Sequence, residues 1–326
     1  MNRQLFQYHP TIGYKFISNL KTRIQHETGG YLVRTNNWGF RSEIDFNKAK
    51  DPAKKRVCIF GDSFTAGDGV SNKFRFSDVI EQSIPGIEVY NFGLPGSGTD
   101  QQFLLFQEYG KDVECDLVIL VVLVENIRRI KSHYRYYFNE AGEKVIYQKP
   151  YFDIKDGKLE LYNNPVESQP LKLEDLPESE KEKVDTGGRF GMARSIVNAL
   201  GLKELTQKIT KYQPVPEYNA ANTPEWLVMQ GIIKKWSSMV KNKFLVVPLP
   251  LYQFIEETSD PKSYQARFNE LHGELGIDVF DPLDDLLKYT MEERRNFRHK
   301  TDVHPTPEGH KAIAKALVPE IQELLK

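Results

Sequence analysis

Residues 56–63 read Arg-Val-Cys-Ile-Phe-Gly-Asp-Ser, an apolar run of strand length that ends in a tight Gly-Asp-Ser turn. Stretches with helical spacing of apolar residues follow at 74–83 and 101–109. Near-continuous apolar strands that alternate with helices indicate an α/β fold whose parallel sheet is covered on both faces. The strand pattern recurs at residues 87–93, 115–126, 242–250 and 277–282.

The composition restricts the class of protein. The chain has 326 residues, of which 40% are hydrophobic and 27% charged, as expected for a folded protein with a substantial core. Lys and Arg total 44 against 45 Asp and Glu, a formal net charge of −1, so the charge gives no support for nucleic-acid binding. The longest strongly apolar run, residues 117–124, is too short to span a membrane.

The N-terminus and the cysteines bear on the cellular compartment. The first 30 residues contain no apolar segment followed by a cleavage site, so the sequence predicts no secretory signal and a cytoplasmic protein. The two cysteines, Cys58 and Cys115, both fall in apolar, strand-like runs. We therefore expect buried free thiols and no disulfide scaffold.

The chain divides into three regions. Residues 1–55 mix aromatic residues with Gly-containing turns, lack helical periodicity and are predicted to form an extension packed on the core. Residues 56–130 and 243–326 carry the strand and helix pattern of that core. Residues 131–242 interrupt the pattern with hairpin-like pieces that turn around 140–142 and 156–157, a charged stretch and a predicted helix at 190–200. A segment of this length between two sheet strands predicts an inserted cap with connecting helices over the site.

Polar residues follow the predicted strands at the end of the sheet where open parallel sheets bind ligands. Ser63 lies in a strand-to-helix turn, which exposes its hydroxyl at the top of the sheet. Asp302 and His304 directly precede the last predicted helix. A hydroxyl nucleophile, an imidazole that takes its proton and a carboxylate that orients the imidazole are the groups that acyl transfer needs. We assign these roles to Ser63, His304 and Asp302.

Acyl transfer also needs donors for the developing oxyanion. The N–H groups of Ser63 and Gly96 and the side-chain amide of Asn126, at the end of the third strand, are the candidates. Gly96 lies in a loop whose glycines permit close approach of the backbone to a substrate. Gly93 and Gly98 are alternatives to Gly96, and helix capping is the alternative role for Asn126.

In order and spacing these blocks resemble the SGNH (GDSL-type) hydrolases, a family with a Gly-Asp-Ser nucleophile turn, an oxyanion glycine, an oxyanion asparagine and a late Asp/His pair. The resemblance covers the two core regions, and the phrases GYKF, TNNWGFRSE and GDSFTAGDGV are similar to a bacterial subgroup with an N-terminal extension. It implies a flavodoxin-like three-layer sandwich with a five-stranded parallel sheet. It also implies a serine hydrolase that acts on an ester without a cofactor or metal.

Two positions depart from the family pattern. The aspartate that commonly follows the oxyanion asparagine is Ile127 here, and the usual Asp-x-x-His is shortened to Asp302-x-His304. The shorter spacing is similar to that of some bacterial branches, including polysaccharide O-acetyl-transfer proteins. It leaves open whether the imidazole of His304 is oriented by Asp302 or by a backbone carbonyl or water.

Other polar residues near these motifs are considered for metal binding or substrate binding. His299 is expected on a solvated, charged face and His310 in a packed or solvated part of the last helix, so a metal site built from them has little support. Arg128 and Tyr134 follow the third strand and are candidate substrate-binding residues, for an anionic group and a sugar ring respectively. Surface ion pairs of Arg128 and Arg129, and a half-buried strand around Tyr134, are the structural alternatives.

The sequence thus predicts a serine esterase that acts on a small-molecule or glycan ester, and the resemblance suggests an O-acetylated carbohydrate. An O-acyltransferase with the same triad and a non-catalytic binding module on this fold are the alternatives. The sequence predicts no nucleic-acid partner and no membrane span, and it does not indicate an oligomeric state.

Overall fold

The computed structural model describes residues 5–138, 144–181 and 213–326. Five parallel strands form its central sheet: β5 Lys55–Gly61, β6 Ile87–Gly93, β7 Leu117–Leu123, β12 Lys243–Leu249 and β13 Asp278–Val279. Their order across the sheet is β13–β12–β7–β5–β6. Every neighbouring pair is parallel.

The strand order defines the fold and locates its ligand-binding edge. In chain order the strands run 2-1-3-4-5 across the sheet, which is the flavodoxin-like arrangement. β6 and β7 are buried along their whole length, as the continuous apolar pattern predicts. The predicted α/β fold with five parallel strands is confirmed. In folds of this order ligands bind beyond the carboxyl ends of the strands at the switch point, which here lies between β5 and β7.

Helices cover both faces of the sheet. On one face α2 packs against α10, and on the other α3 and α7 pack against α5. Within the described ranges, no helix is both long and apolar enough to cross a bilayer. The helices are α1 Ser63–Ala66, α2 Phe76–Ser83, α3 Thr99–Leu105 (extended by a π-helical turn, Phe106–Gly110), α4 Ile127–Ile130, α5 Pro224–Met239, α6 Tyr252–Ile255, α7 Lys262–Leu275, α8 Leu283–Leu287, α9 Met291–Arg295 and α10 Pro307–Leu324.

The N-terminal segment lies against the first two core strands. The Phe46 ring stacks on Tyr90 of β6 with 3.9 Å between ring centroids. The buried guanidinium of Arg56 donates to the backbone carbonyls of residues 47–49. Before this contact the segment forms two antiparallel hairpins, β1 Phe6–His9 with β2 Gly13–Phe16 and β3 Lys21–Ile24 with β4 Tyr31–Arg34.

Two further antiparallel hairpins follow α4. They are β8 Tyr134–Phe138 with β9 Lys144–Gln148, and β10 Tyr151–Lys155 with β11 Lys158–Tyr162. The second hairpin packs on the core through Phe152, whose ring centroid lies 5.7 Å from that of Phe103 on α3. The expected turn at 140–142 and the predicted helix at 190–200 lie outside the described residues.

The expectation of free thiols is wrong, because Cys58 and Cys115 form a disulfide. Their Cα atoms lie 6.0 Å apart although 57 positions separate them in the chain. The reason is topological. β5 and β7 are adjacent parallel strands in which Cys58 pairs with Val118, so the residues just before β7 lie beside Cys58. The separation of the two cysteines in the sequence does not show that β5 and β7 are adjacent strands.

Candidate active site

Ser63 occupies the turn between β5 and α1, at the carboxyl edge of the sheet. Asp62 caps the helix, its Oδ1 accepting the backbone N–H of Phe64 at 3.0 Å. The turn fits tightly against the next strand, since a Cβ on Gly93 would lie 2.3 Å from the backbone nitrogen of Ala66. The Asp62 cap therefore fixes the start of the helix, and the close approach to Gly93 fixes the position of the turn.

A chain of hydrogen bonds links Ser63 to two residues about 240 positions later. His304 Nε2 lies 2.8 Å from Ser63 Oγ, and His304 Nδ1 lies 2.6 Å from Asp302 Oδ1. The backbone N–H of His304 also donates to Asp302 Oδ1, at 3.3 Å. An ionised carboxylate only accepts hydrogen bonds, so Nδ1 carries the proton and Nε2 accepts the Ser63 hydroxyl. The short Asp-x-His spacing thus permits direct contact between the carboxylate and the ring.

The electrostatics of this group follow from its contacts. Burial alone would lower the pKa of His304, but the hydrogen bond to Asp302 and the negative charges of Asp68, Asp302 and Asp62 raise this pKa above its ordinary value. Burial alone would raise the pKa of Asp302, yet its hydrogen bond and charge interaction with His304 hold that pKa at about 2. Asp302 is therefore ionised across the physiological range.

The candidate oxyanion donors converge on the same edge. Gly96 has a φ of +76°, a conformation that favours glycine. The N–H of Gly93 donates to Asn91 Oδ1 at 2.8 Å, and that of Gly98 points to Gln101 Oε1 at 3.5 Å. Within the described part of the chain the N–H of Gly96 donates to no other group. Of the three glycines, Gly96 thus has the available donor.

Asn126 ends the short 3₁₀ turn Val124–Asn126 that follows β7. Its side chain is fully buried, and neither amide atom has a hydrogen-bond partner among the residues that the structure describes. It makes no side-chain capping bond to α4. Buried amides are normally paired, and leaving one unpaired costs about 1–3 kcal/mol. The described residues thus leave the hydrogen bonds of the buried Asn126 amide unfilled.

Arg129, not Arg128, lies beside the Gly-Asp-Ser turn. Arg129 Nη1 donates to the buried Asp62 Oδ2 and to the carbonyl of Ser97, both at 3.0 Å. Arg128 points elsewhere, with its Nε donating to Glu217 Oε1 at 2.6 Å. The sequence pattern did not show which of the two arginines faces the sheet edge, because that depends on the phase of the helix.

A cavity of about 520 Å³ opens next to Gly96. It lies between the loop after β6 and the hairpin β8–β9, so the insertion after α4 forms one of its walls. Tyr134, predicted from sequence to contact substrate, is part of the lining, and Arg128 is not. The described lining residues are Gly96, Arg129, Ser132, Tyr134, Arg135, Tyr136 and Lys149.

His299 and His310, the two further histidines considered in the sequence analysis, are both buried. The prediction of a solvated His299 is wrong: it is 3% exposed. Its backbone N–H donates to the carbonyl of His304, which turns the segment inward, and its ring packs against Gly69. His310 is fully buried, and its Nδ1 accepts the backbone N–H of Phe76 at 3.1 Å. Burial lowers the pKa of His310 to about 3.

The N-terminal segment supplies two contacts to the Asp302 loop that the sequence did not reveal. His26 Nε2 lies 3.6 Å from Asp302 Oδ2. The Glu27 carboxylate accepts the backbone N–H groups of Lys300 and Thr301, both at 2.7 Å. These contacts join residues more than 270 positions apart, and the local sequence at His26 and Glu27 indicates only a turn.

Comparison with known proteins yields distant structural likenesses only. A lipase/acylhydrolase from Enterococcus faecalis aligns at 12% identity and a TM-score of 0.45, over 83% of this chain and 97% of its own. An acetyl xylan esterase aligns at 14% identity and a TM-score of 0.44, over 82% and 99%. A member of the lipolytic G-D-S-L family from Veillonella parvula aligns at 12% identity and a TM-score of 0.42, over 82% and 98%. No protein-family profile and no curated protein matches the chain.

Proposed function

We propose that the protein is a serine esterase that hydrolyses an acyl ester, with Ser63 as nucleophile, His304 as general base and acid, and Asp302 as the residue that holds the imidazole. The observation that carries this proposal is the continuous chain of hydrogen bonds from Asp302 through His304 to Ser63. Nucleophile, base and orienting group within hydrogen-bond reach are the signature of an activated hydroxyl.

The reaction proceeds in two transfers. Ser63 Oγ attacks the acyl carbon while its proton moves to His304 Nε2, and the resulting imidazolium returns that proton to the departing alcohol. The acyl group is then an ester of Ser63. Water attacks this ester, His304 takes a proton from the water, and the collapse of the second tetrahedral intermediate releases the carboxylic acid and restores the Ser63 hydroxyl.

The oxyanion of each tetrahedral intermediate is assigned to three donors: the N–H groups of Ser63 and Gly96 and the amide of Asn126. Two features support this assignment. The N–H of Gly96 and the amide of Asn126 have no hydrogen-bond partner among the described residues. Each such donor contributes most where it is fixed in advance and shielded from water, as the buried Asn126 is.

We assign the bound part of the substrate to the cavity beside Gly96, where the hairpin β8–β9 forms one wall. Tyr134 and Tyr136 line this cavity with polar groups around them, a surface suited to a sugar ring. This supports an O-acetylated carbohydrate as the substrate.

A fluorophosphonate probe tests the proposal, because an activated serine hydroxyl attacks such electrophiles. We expect intact-mass spectrometry to show one covalent adduct on the wild type and none on Ser63→Ala. Ser238→Ala, on the exposed end of α5, is the matched control and should be labelled like the wild type. Equal labelling of Ser63→Ala and the wild type would remove Ser63 from the mechanism.

A further inference from the structure

His26 lies beside the carboxylate that is assigned to orient His304. It follows β3 in a turn in which the N–H of Gly29 donates to the carbonyl of His26 at 3.0 Å. Its side chain is 10% exposed, and its Nε2 lies 3.6 Å from Asp302 Oδ2. His304 contacts the other oxygen, Oδ1. Among the described residues, His26 is thus the side chain that faces Asp302 Oδ2.

The Nε2 of His26 is buried and has no hydrogen-bond partner in the described part of the chain. Its distance of 3.6 Å from Asp302 Oδ2 is longer than an ordinary hydrogen bond. Buried polar nitrogens are normally paired, because an unpaired one loses its contacts with water without replacement. Hydrogen bonds between groups of an active site are often long in the free enzyme and shorten when substrate binds. A small movement is enough to pair this nitrogen with Asp302.

Packing fixes the orientation of the His26 ring. The ring stands edge-on to that of His299, with 4.4 Å between the centroids and an interplanar angle of 74°. Tyr31 of β4 makes a second edge contact, with 5.8 Å between the centroids. Gly69 leaves room for both imidazoles, since a Cβ there would lie 2.8 Å from His299 Nε2 and 3.6 Å from His26 Nε2. The loop after Ser63 therefore takes part in holding His26 against Asp302.

The second ring nitrogen of His26 indicates its tautomer. Thr28 Oγ1 lies 3.3 Å from His26 Nδ1, and a hydroxyl donates to Nδ1 when the ring proton is on Nε2. In this tautomer Nε2–H is a donor that faces a carboxylate, which only accepts. Burial raises the pKa of Asp302, whereas the hydrogen bond to His304 and the charges of His304 and His26 lower it. The contact between His26 and Asp302 is thus favourable.

We propose that His26 is a positioning residue: its Nε2–H donates to Asp302 Oδ2 when substrate is bound and keeps Asp302 Oδ1 directed at His304. This inference rests on the proposed esterase function and adds to it a residue from the N-terminal segment. His26 acts through Asp302, since it does not line the cavity beside Gly96. A carboxylate that is fixed at both oxygens needs no reorientation when positive charge develops on the His304 ring.

Three substitutions of His26 separate positioning from packing. His26→Gln extends its amide nitrogen about as far as the imidazole Nε2, so it should keep most of the wild-type kcat for 4-nitrophenyl acetate. His26→Asn is too short to reach Asp302, and His26→Phe keeps the ring contacts but has no donor. In both of these variants kcat should fall roughly 10-fold, as small misplacements of catalytic groups produce, and KM should change little.

The proton NMR spectrum gives a readout that does not depend on turnover. The Nδ1 proton of a histidine that is hydrogen-bonded to a carboxylate resonates far downfield. We expect this resonance of His304 in the wild type and in His26→Gln, and an upfield shift or loss of it in His26→Asn and His26→Phe. His272→Phe, at an exposed position of α7, is the control and should leave both kcat and the resonance unchanged.

The order of the variants decides between the two roles. Wild-type kcat and an unmoved His304 resonance in both His26→Asn and His26→Phe would overturn the positioning role and leave the esterase intact. Full activity in His26→Phe with losses in both His26→Gln and His26→Asn would also overturn it, because only packing would explain that order. If His26→Phe does not fold, the difference between the Gln and Asn variants decides. A wild type without Ser63-dependent hydrolysis would instead contradict the proposed function itself.

Discussion

A single residue, Val303, separates Asp302 from His304, and this spacing determines how the carboxylate reaches the ring. The Oδ1 of Asp302 accepts from both the backbone N–H and the Nδ1 of His304. The loop is closed by a β-bridge between Arg298 and Pro305. The alternative in which a backbone carbonyl or water orients His304 therefore has less geometric support than the carboxylate.

The pH dependence of the reaction follows from the pKa of His304. Only the neutral imidazole takes the Ser63 proton, so kcat/KM for a small acetyl ester should rise with pH through the pKa of His304 in the free enzyme. Its acidic surroundings raise that pKa, so the midpoint should lie above the ordinary value of about 6.5. A continuous assay over about pH 5 to about pH 8, the range in which proteins tend to be most stable, measures this midpoint.

Asp302→Asn should remain folded and lose up to about 10⁴ in kcat, because an amide at this position favours the wrong imidazole tautomer. The pH midpoint should also fall, since the negative charge that raises the pKa of His304 is gone. Wild-type kcat in Asp302→Asn, together with an inactive His304→Ala, would reduce the triad to a Ser–His pair.

At the scale of elements, the N-terminal segment contacts two loops of the candidate active site. Arg41, within the phrase TNNWGFRSE, is fully buried and donates to the carbonyls of Gly67 and Val70 in the loop after α1. Glu27 holds Lys300 and Thr301, just before Asp302. The segment thus contacts the loop after Ser63 and the loop before His304, which come from opposite ends of the core sequence.

Glu27→Ala tests whether the second contact positions the triad. Without the Glu27 carboxylate the Lys300 and Thr301 N–H groups lose their acceptor and the loop loosens, so kcat should fall roughly 10-fold, within the range that small misplacements of catalytic groups produce. KM should change little, because Glu27 does not line the substrate cavity. Steady-state kinetics measure both parameters.

Glu43→Ala is the matched control, since Glu43 belongs to the same segment but pairs only with the exposed Arg34 in the described structure. It should behave as wild type. A Glu27→Ala enzyme with unchanged kcat would show that the contact serves stability alone.

At the scale of the whole molecule, the features predicted correctly from the sequence are those that the strand pattern and the order of the motifs determine. The five strands, the turn that presents Ser63 and the position of Asn126 are local features, each readable from a few consecutive residues. The contacts of Glu27 with Lys300 and Thr301, and the choice of Arg129 over Arg128, depend on helix phase and on chain segments that meet only after folding. No local pattern encodes them.

The same limitation explains the cysteines. Their pairing depends on β5 and β7 being neighbours, and the sequence shows only two apolar runs separated by one complete strand. The strand order places β6 at the edge and brings the third strand beside the first. This order brings the residues just before β7 beside β5, where Cys115 meets Cys58.

The disulfide between Cys58 and Cys115 also has a consequence for the unfolded chain. It closes a loop across 57 positions that contains Ser63, α2, β6 and Gly96. In the chain-entropy description, this closure removes conformations from the denatured ensemble and stabilises the native state by about 4 kcal/mol. We expect dithiothreitol under unfolding conditions to lower the Tm measured by calorimetry, and Cys58→Ala/Cys115→Ala to show the lower Tm without reductant. An identical Tm for oxidised and reduced protein would contradict a stabilising role of the crosslink.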